Sequence, residues 1–387
     1  KNNATMKRIT LHTAILGLVA LIAIACQNAN SQVIPATAFF NGKGDGVTMN
    51  TEVLNAAIAN LREGDSLVIP KGNYLTGTIK LKSNVTLVLQ EGATLIASEN
   101  PEDYDHYRPT KDMSKYDTGE GTRNANLASD ADWVKALLLA QNVENVTIKG
   151  SGTIDGRHVQ NPNGEESMRG PHTIIIAESK NVNVEGVRIR CAANYAILGY
   201  ELQDCSFSTL DIEEGWDGIH VRGCNNVTIQ NCDLKTGDDA IAGGYWENMT
   251  IQNCRINSSC NGIRMIAPST NLTISDCHIY GPGKFPHRTS GDEKRTSTIY
   301  GIVLEPGAWG DSPGHTEGVT IRNITVDNLR TPLVYSMGDN NTCSGLLVDG
   351  LTATNINSYT VPLKNEMNCP HMWDNIEMRN IKISKGH

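Results

Sequence analysis

Short runs in which apolar and polar residues alternate, each closed by Asn, Asp or Gly, recur along most of the chain. The run "NVTIQNC" at 226–232 returns as "NMTIQNC" at 248–254 and as "NLTISDC" at 271–277, at spacings of 22 and 23 residues. Looser copies begin at Asn84, Asn145, Asn181 and Gly318. Alternating β-branched residues predict short strands, and Asn, Asp or Gly at their ends predict corners. The chain is therefore predicted to repeat a strand–corner–strand unit.

A repeat of this length predicts a solenoid, because one such unit cannot bury its apolar face alone and stacked units can. We predict an all-β fold, a right-handed parallel β-helix. The 22-residue register places two columns of side chains inside it: Phe207, Ile229, Ile251 and Ile274, and Leu210, Cys232, Cys254 and Cys277. Cysteine at such positions behaves as a small buried hydrophobe, so free thiols are favoured over disulfides.

Three segments depart from the repeat. In Thr51–Leu61, apolar residues at 53, 54, 57, 58 and 61 predict a helix. Because an open solenoid end exposes strand edges, we expect this helix to cap the N-terminal end. The polar, irregular segments 102–132 and 282–298 are predicted to be binding loops.

The corners of the repeat carry Asn226, Asn248 and Asn271, and each of them begins an Asn-x-Thr triplet. Such triplets can be glycosylation sites. Asn also tolerates left-handed backbone and bonds to nearby backbone or side chains. We predict left-handed corners that bond to the next coil.

The N-terminal residues have the pattern of a targeting signal. Met6 precedes two basic residues and an apolar run from Ala14 to Ala25, which is too short to span a membrane. The segment 21–26, "LIAIAC", resembles a bacterial lipobox. We predict a lipoprotein signal peptide over 1–25, a lipid on Cys26, a tether over 26–35 and one β-helix domain over 36–387. An ordinary signal peptide is the alternative, and both predict export to the cell envelope or beyond it.

Charge and composition limit the kinds of molecule that the protein is expected to bind. The formal net charge is −9, the pI is near 5.6, and no basic block occurs, which argues against nucleic acid. The 36 glycines fit a turn-rich β protein. We expect a monomer that meets a membrane only through its lipid.

The register also gathers polar residues outside the solenoid. "GWDGI" at 215–219 aligns with "GDDAI" at 237–241, so Asp217, Asp239, Asn261 and Tyr300 form one column with Asp238 beside it. His220 and Arg264 belong to a parallel column on the same sheet.

Three carboxylates this close repel, so the pKa of at least one should rise. Cleavage of a glycosidic bond with inversion needs a protonated carboxylic acid and a carboxylate that holds a water. Aspartates that only form turns, or that bind Ca²⁺, are the alternatives.

With these motifs in hand, the chain resembles glycoside hydrolase family 28, the polygalacturonase family of pectin-degrading β-helices. "GSGTIDG" at 150–156 and "TGDDAIA" at 236–242 are similar to family motifs, and "GWDGI" keeps the Asp and Gly of another. The resemblance implies that Asp238 is the general acid and that Asp217 and Asp239 hold the nucleophilic water. It implies a pectic or related plant polysaccharide as substrate, with no cofactor and no metal.

Two positions depart from the family pattern. Asn261 stands where the family has His, and Val303–Glu305 stand where it has an Arg-Ile-Lys motif that grips a uronic acid. Glu305 would repel a uronate carboxylate. A changed sugar specificity is therefore favoured, with Arg264 as a substitute cation or with a neutral sugar.

The remaining predicted substrate contacts are Trp216, His220, Tyr300 and Glu305, with Trp309 on a loop that could close the cleft. Two other functions stay open. A Ca²⁺-dependent polysaccharide lyase would use Arg264 to abstract the proton next to a uronate. A carbohydrate-binding β-helix would have no turnover.

Overall fold

Parallel strands stacked coil upon coil build the molecule, as seen in a computed structural model that describes residues 36–117, 126–289, 294–357, 363–364 and 373–386. Most described strands pair in parallel with a strand of the coil before and a strand of the coil after. The predicted all-β parallel β-helix is confirmed. Among the described residues, no helix has the length and apolar content needed to cross a membrane.

The strands of the first part of the chain are β1 (Thr37–Phe39), β2 (Asp45–Met49), β3 (Ser66–Ile69), β4 (Gly72–Thr76), β5 (Ile79–Lys80), β6 (Thr86–Leu89), β7 (Ala93–Ala97), β8 (Ala136–Gln141), β9 (Glu144–Gly150) and β10 (Thr153–Asp155). The central strands are β11 (His172–Glu185), β12 (Arg188–Arg190), β13 (Ile197–Ser208), β14 (Asp211–Glu213), β15 (Ile219–Gln230), β16 (Asp233–Thr236), β17 (Ile241–Gln252), β18 (Arg255–Ser258), β19 (Asn261–Met265), β20 (Thr273–Ser275) and β21 (His278–Tyr280). The last strands are β22 (Tyr300–Leu304), β23 (Gly314–Asp327), β24 (Thr331–Tyr335), β25 (Asn341–Ile356), β26 (Leu363–Lys364) and β27 (Asp374–Lys385). The helical elements are α1 (Thr51–Asn60) and the 3-10 turns Pro101–Asp103, Ser114–Tyr116 and Glu165–Ser167.

The register predicted from the repeat is present in the strand pairing. Phe207 pairs with Ile229, Ile229 with Ile251, and Ile251 with Ile274 across β13, β15, β17 and β20, and all four side chains are buried. The second predicted column is also buried, and its cysteines are free thiols. The periodicity therefore predicts the core at the level of single residues.

The Asn corners adopt the predicted conformation. Asn226, Asn248 and Asn271 have φ of 58°, 56° and 55°. Asn271 Nδ2 donates to Asn248 Oδ1 at 3.0 Å, and Asn248 Nδ2 donates to Asn225 Oδ1 at 3.2 Å. These side chains form a ladder that runs from coil to coil.

The helix predicted at Thr51–Leu61 is present as α1, and it buries Leu54 and Ile58 in the main core. Its role as a cap stays a prediction. The described part of segment 102–132, together with Trp133 just after it, adds a second apolar cluster, in which Tyr107, Tyr116 and Trp133 pack around Tyr200. Cys26 and the predicted signal peptide lie outside the described residues.

Candidate active site

The three aspartates lie together at the ends of two neighbouring turns. Asp217 lies just before β15, and Asp238 and Asp239 lie just before β17. The backbone N–H of Gly218 donates to Asp239 O at 2.9 Å, which fixes the two turns in register. A Cβ at Gly218 would lie 2.5 Å from Ala240 O, so this approach requires glycine. One oxygen from each carboxyl group lies within 4.8 Å of the other two.

The three carboxyl groups differ in exposure. The side chain of Asp238 is 19% exposed, whereas those of Asp217 and Asp239 are 6% and 5% exposed. Asp238 is therefore the one that a ligand in the cleft reaches most easily, and the other two form the floor beneath it.

The surroundings of the three aspartates also shift their pKa values in different directions. Burial, together with the charges of Asp238 and Asp239, raises the pKa of Asp217 well above its ordinary value. Burial raises the pKa of Asp239 to about 6, against the opposing effect of Arg264. Burial opposes ionisation of Asp238 too, but contact with His287 and the charge of Arg169 outweigh it and lower the pKa of Asp238. A raised pKa is thus present in the cluster as expected, but it falls on the two deep carboxyls.

His220 lies beside Asp217 in the cavity lining, and almost all of its side chain is buried. Its side chain is buried, its Nδ1 lies 2.7 Å from Asp217 Oδ2, and its ring stacks on Tyr195 at 4.9 Å between centroids. Arg222 Nε donates to His220 Nε2 at 3.3 Å. Because Nε2 accepts, the neutral ring carries its proton on Nδ1 and donates it to Asp217. This placement favours a role in orienting Asp217 over the predicted substrate contact.

Asn261 and Arg264, both on β19, contact Asp239. Asn261 Nδ2 donates to Asp239 Oδ1 at 2.7 Å, and its backbone N–H donates to the same oxygen at 3.2 Å. An Arg264 terminal nitrogen lies 3.6 Å from Asp239 Oδ2, and Arg264 Nε donates to Glu305 Oε1 at 2.7 Å. Asp239 and Asn261 from one predicted column and Arg264 from the parallel column are therefore joined in one group of polar contacts that also includes Glu305.

Two residues near Asp238 were not predicted. His287 Nε2 lies 3.4 Å from Asp238 Oδ2, and Arg169 lies 4.0 Å from the same oxygen. Arg169 is also bound to Glu165 and Glu166, at 3.3 and 2.9 Å. His287 lies in segment 282–298, whose polarity predicted a binding loop but not which residue would reach the site. Arg169 lies in the loop between β10 and β11, and no repeat register extends to it.

The predicted aromatic contacts are placed differently from one another. Trp216 is buried, and the guanidinium groups of Arg169 and Arg288 pack against it at 4.9 and 5.1 Å from its ring centroid. This placement favours packing over sugar stacking. Tyr300 pairs with Asn261 in the expected column, one coil further along. Trp309 is 42% exposed, covers the Arg264 guanidinium at 5.2 Å and faces the cleft.

A cavity of about 240 Å³ opens above the aspartates. Its described lining is mostly charged or polar: Asn126, Glu165, Glu166, Arg169, Tyr195, Asp217, His220, Arg222, Asp238, Asp239, Cys260, Arg264 and His287, with Ala242, Ile266 and Trp309. Such a volume lies below the range of about 300–1,000 Å³ typical of small-molecule sites. The cavity therefore suits a single polar unit rather than a long ligand enclosed on all sides.

Comparison with known proteins identifies the family. Residues 38–285 match a family model described as rhamnogalacturonase A/epimerase, pectate lyase-like. The chain belongs to this family. The matched segment contains all three aspartates and His287 lies just beyond it, so the family pattern covers the acidic cluster but not the histidine beside it. The resemblance to family 28 polygalacturonases is confirmed.

Individual relatives cover the chain in part. A protein of Vitis vinifera named "Probable polygalacturonase" is 26% identical over 233 residues, which are 56% of this chain and 45% of that protein. An exo-poly-alpha-D-galacturonosidase of Dickeya chrysanthemi is 36% identical over 118 residues, which are 30% of this chain and 18% of that protein. The chain thus spans less than half the length of these two relatives.

Among solved structures, a family 28 exopolygalacturonase of Yersinia enterocolitica superposes with a TM-score of 0.61 at 17% identity, over 91% of this chain and 79% of the other. A hyperthermoactive exopolygalacturonase of Thermotoga maritima gives 0.60 at 16% identity, over 91% and 93%. At these identities the likeness establishes the fold.

Proposed function

We propose that this protein is a glycoside hydrolase that cleaves a pectic or related plant polysaccharide, or an oligosaccharide derived from it. The observation that carries the proposal is the cluster of Asp217, Asp238 and Asp239 at the floor of a polar cavity. Family membership and relatives named as polygalacturonases support the same reaction class.

In the proposed reaction, Asp238 gives a proton to the glycosidic oxygen, since it is the carboxyl most open to the cleft. Asp217 and Asp239 hold a water that attacks the anomeric carbon from the opposite face, which inverts its configuration. His220 orients Asp217, and Asn261 orients Asp239. The water's proton passes to this carboxylate pair.

The spacing of the carboxyls shapes this mechanism. Oxygens of the three groups come within 4.8 Å of one another, whereas inverting pairs are typically about 6.5–9.5 Å apart. Because this separation is short, we place the attacking water next to Asp217 and Asp239, and not directly between the acid Asp238 and a single base. Proton NMR of the first product formed tests this assignment. A first product with inverted configuration supports the assignment. A first product with retained configuration would contradict it and would indicate a covalent glycosyl-enzyme intermediate.

We propose that the sugar at the reacting position is neutral. Arg264, the predicted substitute cation, already binds Glu305 and Asp239, and Arg169 binds Glu165 and Glu166. A uronate would have to displace these carboxylates and would meet the charge of Glu305.

A lyase is disfavoured by the same contacts. The charge of Asp239 and Glu305 raises the pKa of Arg264 further, against the opposing effect of burial, so this residue is a poor base. Bound Ca²⁺ would have to share the aspartates with Arg169, Arg264 and His287, which lie against them.

The reaction class is tested with a panel of pectic polysaccharides and their oligosaccharides. New reducing ends and the absorbance of unsaturated uronates are followed together, with and without chelator, for the wild type and Asp238→Asn. Reducing ends without absorbance, lost in the variant, support hydrolysis. Absorbance that chelator removes would identify a lyase, and binding without product would identify a carbohydrate-binding protein.

We further propose that the protein is exported and carries a lipid on Cys26. The support is the apolar run and the lipobox-like end of 21–26. Metabolic labelling with palmitate in a bacterial host tests it, since label should enter the wild type and not Cys26→Ala. Equal labelling of both would contradict the assignment.

A further inference from the structure

The described residues between β21 and β22 are fixed to the coil that carries Asn261. Lys284 N–H donates to Asn257 Oδ1 at 2.6 Å, and Thr298 Oγ1 donates to Ser258 O at 2.6 Å. Arg295 Nε donates to Ser259 O at 3.1 Å, and His287 N–H donates to Arg295 O at 2.8 Å. Hydrogen bonds near both ends of the segment therefore hold His287 in place.

This placement presents His287 to one oxygen of Asp238. His287 Nε2 lies 3.4 Å from Asp238 Oδ2, while Asp238 Oδ1 accepts the backbone N–H of Asp239 at 3.0 Å. Both His287 and Asp238 line the cavity. His287 therefore contacts Oδ2, the Asp238 oxygen that does not accept the Asp239 backbone N–H.

The contact creates a problem for acid catalysis. A general acid must hold a proton at the start of the reaction, yet His287 and Arg169 lower the pKa of Asp238 in the free protein. The 3.4 Å contact gives such a proton a second position, on His287 Nε2, from which it can return to Asp238 Oδ2.

We propose that His287 stores the proton that Asp238 delivers to the leaving-group oxygen. This inference rests on the proposed hydrolase function. The imidazolium passes its Nε2 proton to Asp238 Oδ2, and Asp238 passes a proton to the glycosidic oxygen as the bond from that oxygen to the anomeric carbon breaks. The electron pair stays on the leaving oxygen, the sugar accepts water, and neutral His287 is reprotonated from solvent. His287 acts through Asp238 and is a positioning residue.

Other charged and titratable groups face this pair. Arg169, Asp217 and Asp239 surround Asp238, and burial raises the pKa of Glu165 to about 7 across the cavity. Burial, with the charge of Asp239, raises the pKa of the Cys260 thiol, so this neighbour stays neutral beside the pair. A test of the pair should therefore change His287 alone and leave these surrounding groups unchanged.

The activity test uses His287→Asn on two substrates, an oligosaccharide cleaved by the wild type and the 4-nitrophenyl glycoside of the same sugar. Nitrophenolate leaves without a proton, so loss of proton delivery should lower kcat about 100-fold on the oligosaccharide and less than about 3-fold on the nitrophenyl glycoside. His278→Asn, on the exposed side of β21, is the matched control. Equal loss on both substrates, or no loss on either, would overturn the proposal.

A second measurement needs no substrate. With ¹³C-labelled aspartate, the carboxyl carbon of Asp238 is assigned by its absence in Asp238→Asn and titrated in the wild type and in His287→Asn. Loss of the His287 contact should move its midpoint to higher pH, and an unchanged midpoint would overturn the proposal. If Asp238→Asn is inactive while His287→Asn is fully active, the hydrolase function stands and this inference fails.

Discussion

Arg264 Nε donates a 2.7 Å hydrogen bond to Glu305 Oε1, and the same guanidinium lies 3.6 Å from Asp239 Oδ2. The predicted substitute cation, Arg264, is therefore bound by carboxylates of the protein itself. This arrangement is the main reason to expect a neutral sugar at the reacting position.

Removal of the Glu305 charge should change the sugar preference. In Glu305→Gln the guanidinium of Arg264 loses its closest charged partner and becomes available to a uronate. We expect the ratio of kcat/KM for uronate-ended over neutral-ended oligosaccharides to rise about tenfold or more, as one recovered charged contact of roughly 1.4 kcal/mol would give. The matched control is Glu317→Gln, at an exposed site on β23. A ratio that does not move in Glu305→Gln would contradict the charge argument.

The pH dependence should report Asp239. The pKa of Asp239 is raised to about 6, while that of Asp217 is raised well above its ordinary value, so Asp239 is the member of the pair whose ionisation activates the water. The value of kcat/KM should therefore rise as the pH increases through about 6. The Asn261 amide lowers the pKa of Asp239 and Glu305 raises it. Asn261→Ala should therefore move this limb to higher pH, and Glu305→Gln should move it to lower pH. Asn271→Ala, in the corner ladder, is the control, and shifts of the same sign in both site variants would contradict the assignment.

Ionisation of the Asp239 carboxyl group should also lower the free energy of unfolding. Between about pH 4 and pH 6 the folded protein keeps a proton that the unfolded chain has lost, so the free energy of unfolding falls as the pH rises through this window. A rise of about two pKa units corresponds to roughly 3 kcal/mol. Asp239→Asn should therefore unfold at a Tm a few degrees higher than the wild type at pH 7, with little gain at pH 4. Calorimetry at both pH values checks this, and a variant less stable than the wild type at pH 7 would contradict it.

The sequence predicts the coil register and the acidic cluster for a common physical reason. A repeat of 22 residues converts chain spacing into spatial neighbours, so Ile229 predicts its contact with Ile251, and Asp217 predicts its neighbour Asp239. Residues outside the repeat have no such spacing, which is why Arg169 and His287 were missed. The sequence also does not predict which aspartate has a raised pKa and which a lowered one. Those directions depend on burial and on the His287 contact, and both come from the loops. Likewise, His220 occupies its predicted position, but only the structure reveals that Arg222 and Tyr195 enclose it.

The corner ladder gives a stability prediction. Asn248 combines left-handed backbone with side-chain hydrogen bonds to Asn225 and Asn271. Asn248→Ala loses those bonds and strains the backbone, and should lower the free energy of unfolding by about 1–2 kcal/mol. Asn248→Gly relieves the strain and should cost less. Denaturant unfolding checks both variants, and an alanine variant as stable as the glycine variant would show that the corner is not strained.

The most direct test of the proposed hydrolase is to run the reaction in ¹⁸O-labelled water and weigh the products by mass spectrometry. Hydrolysis by a water held at Asp217 and Asp239 predicts one ¹⁸O atom on the new reducing end at the first turnover, and no product from Asp238→Asn. Products without ¹⁸O at that end, with an unsaturated uronate at the other, would contradict the account and would assign the aspartates to an elimination reaction.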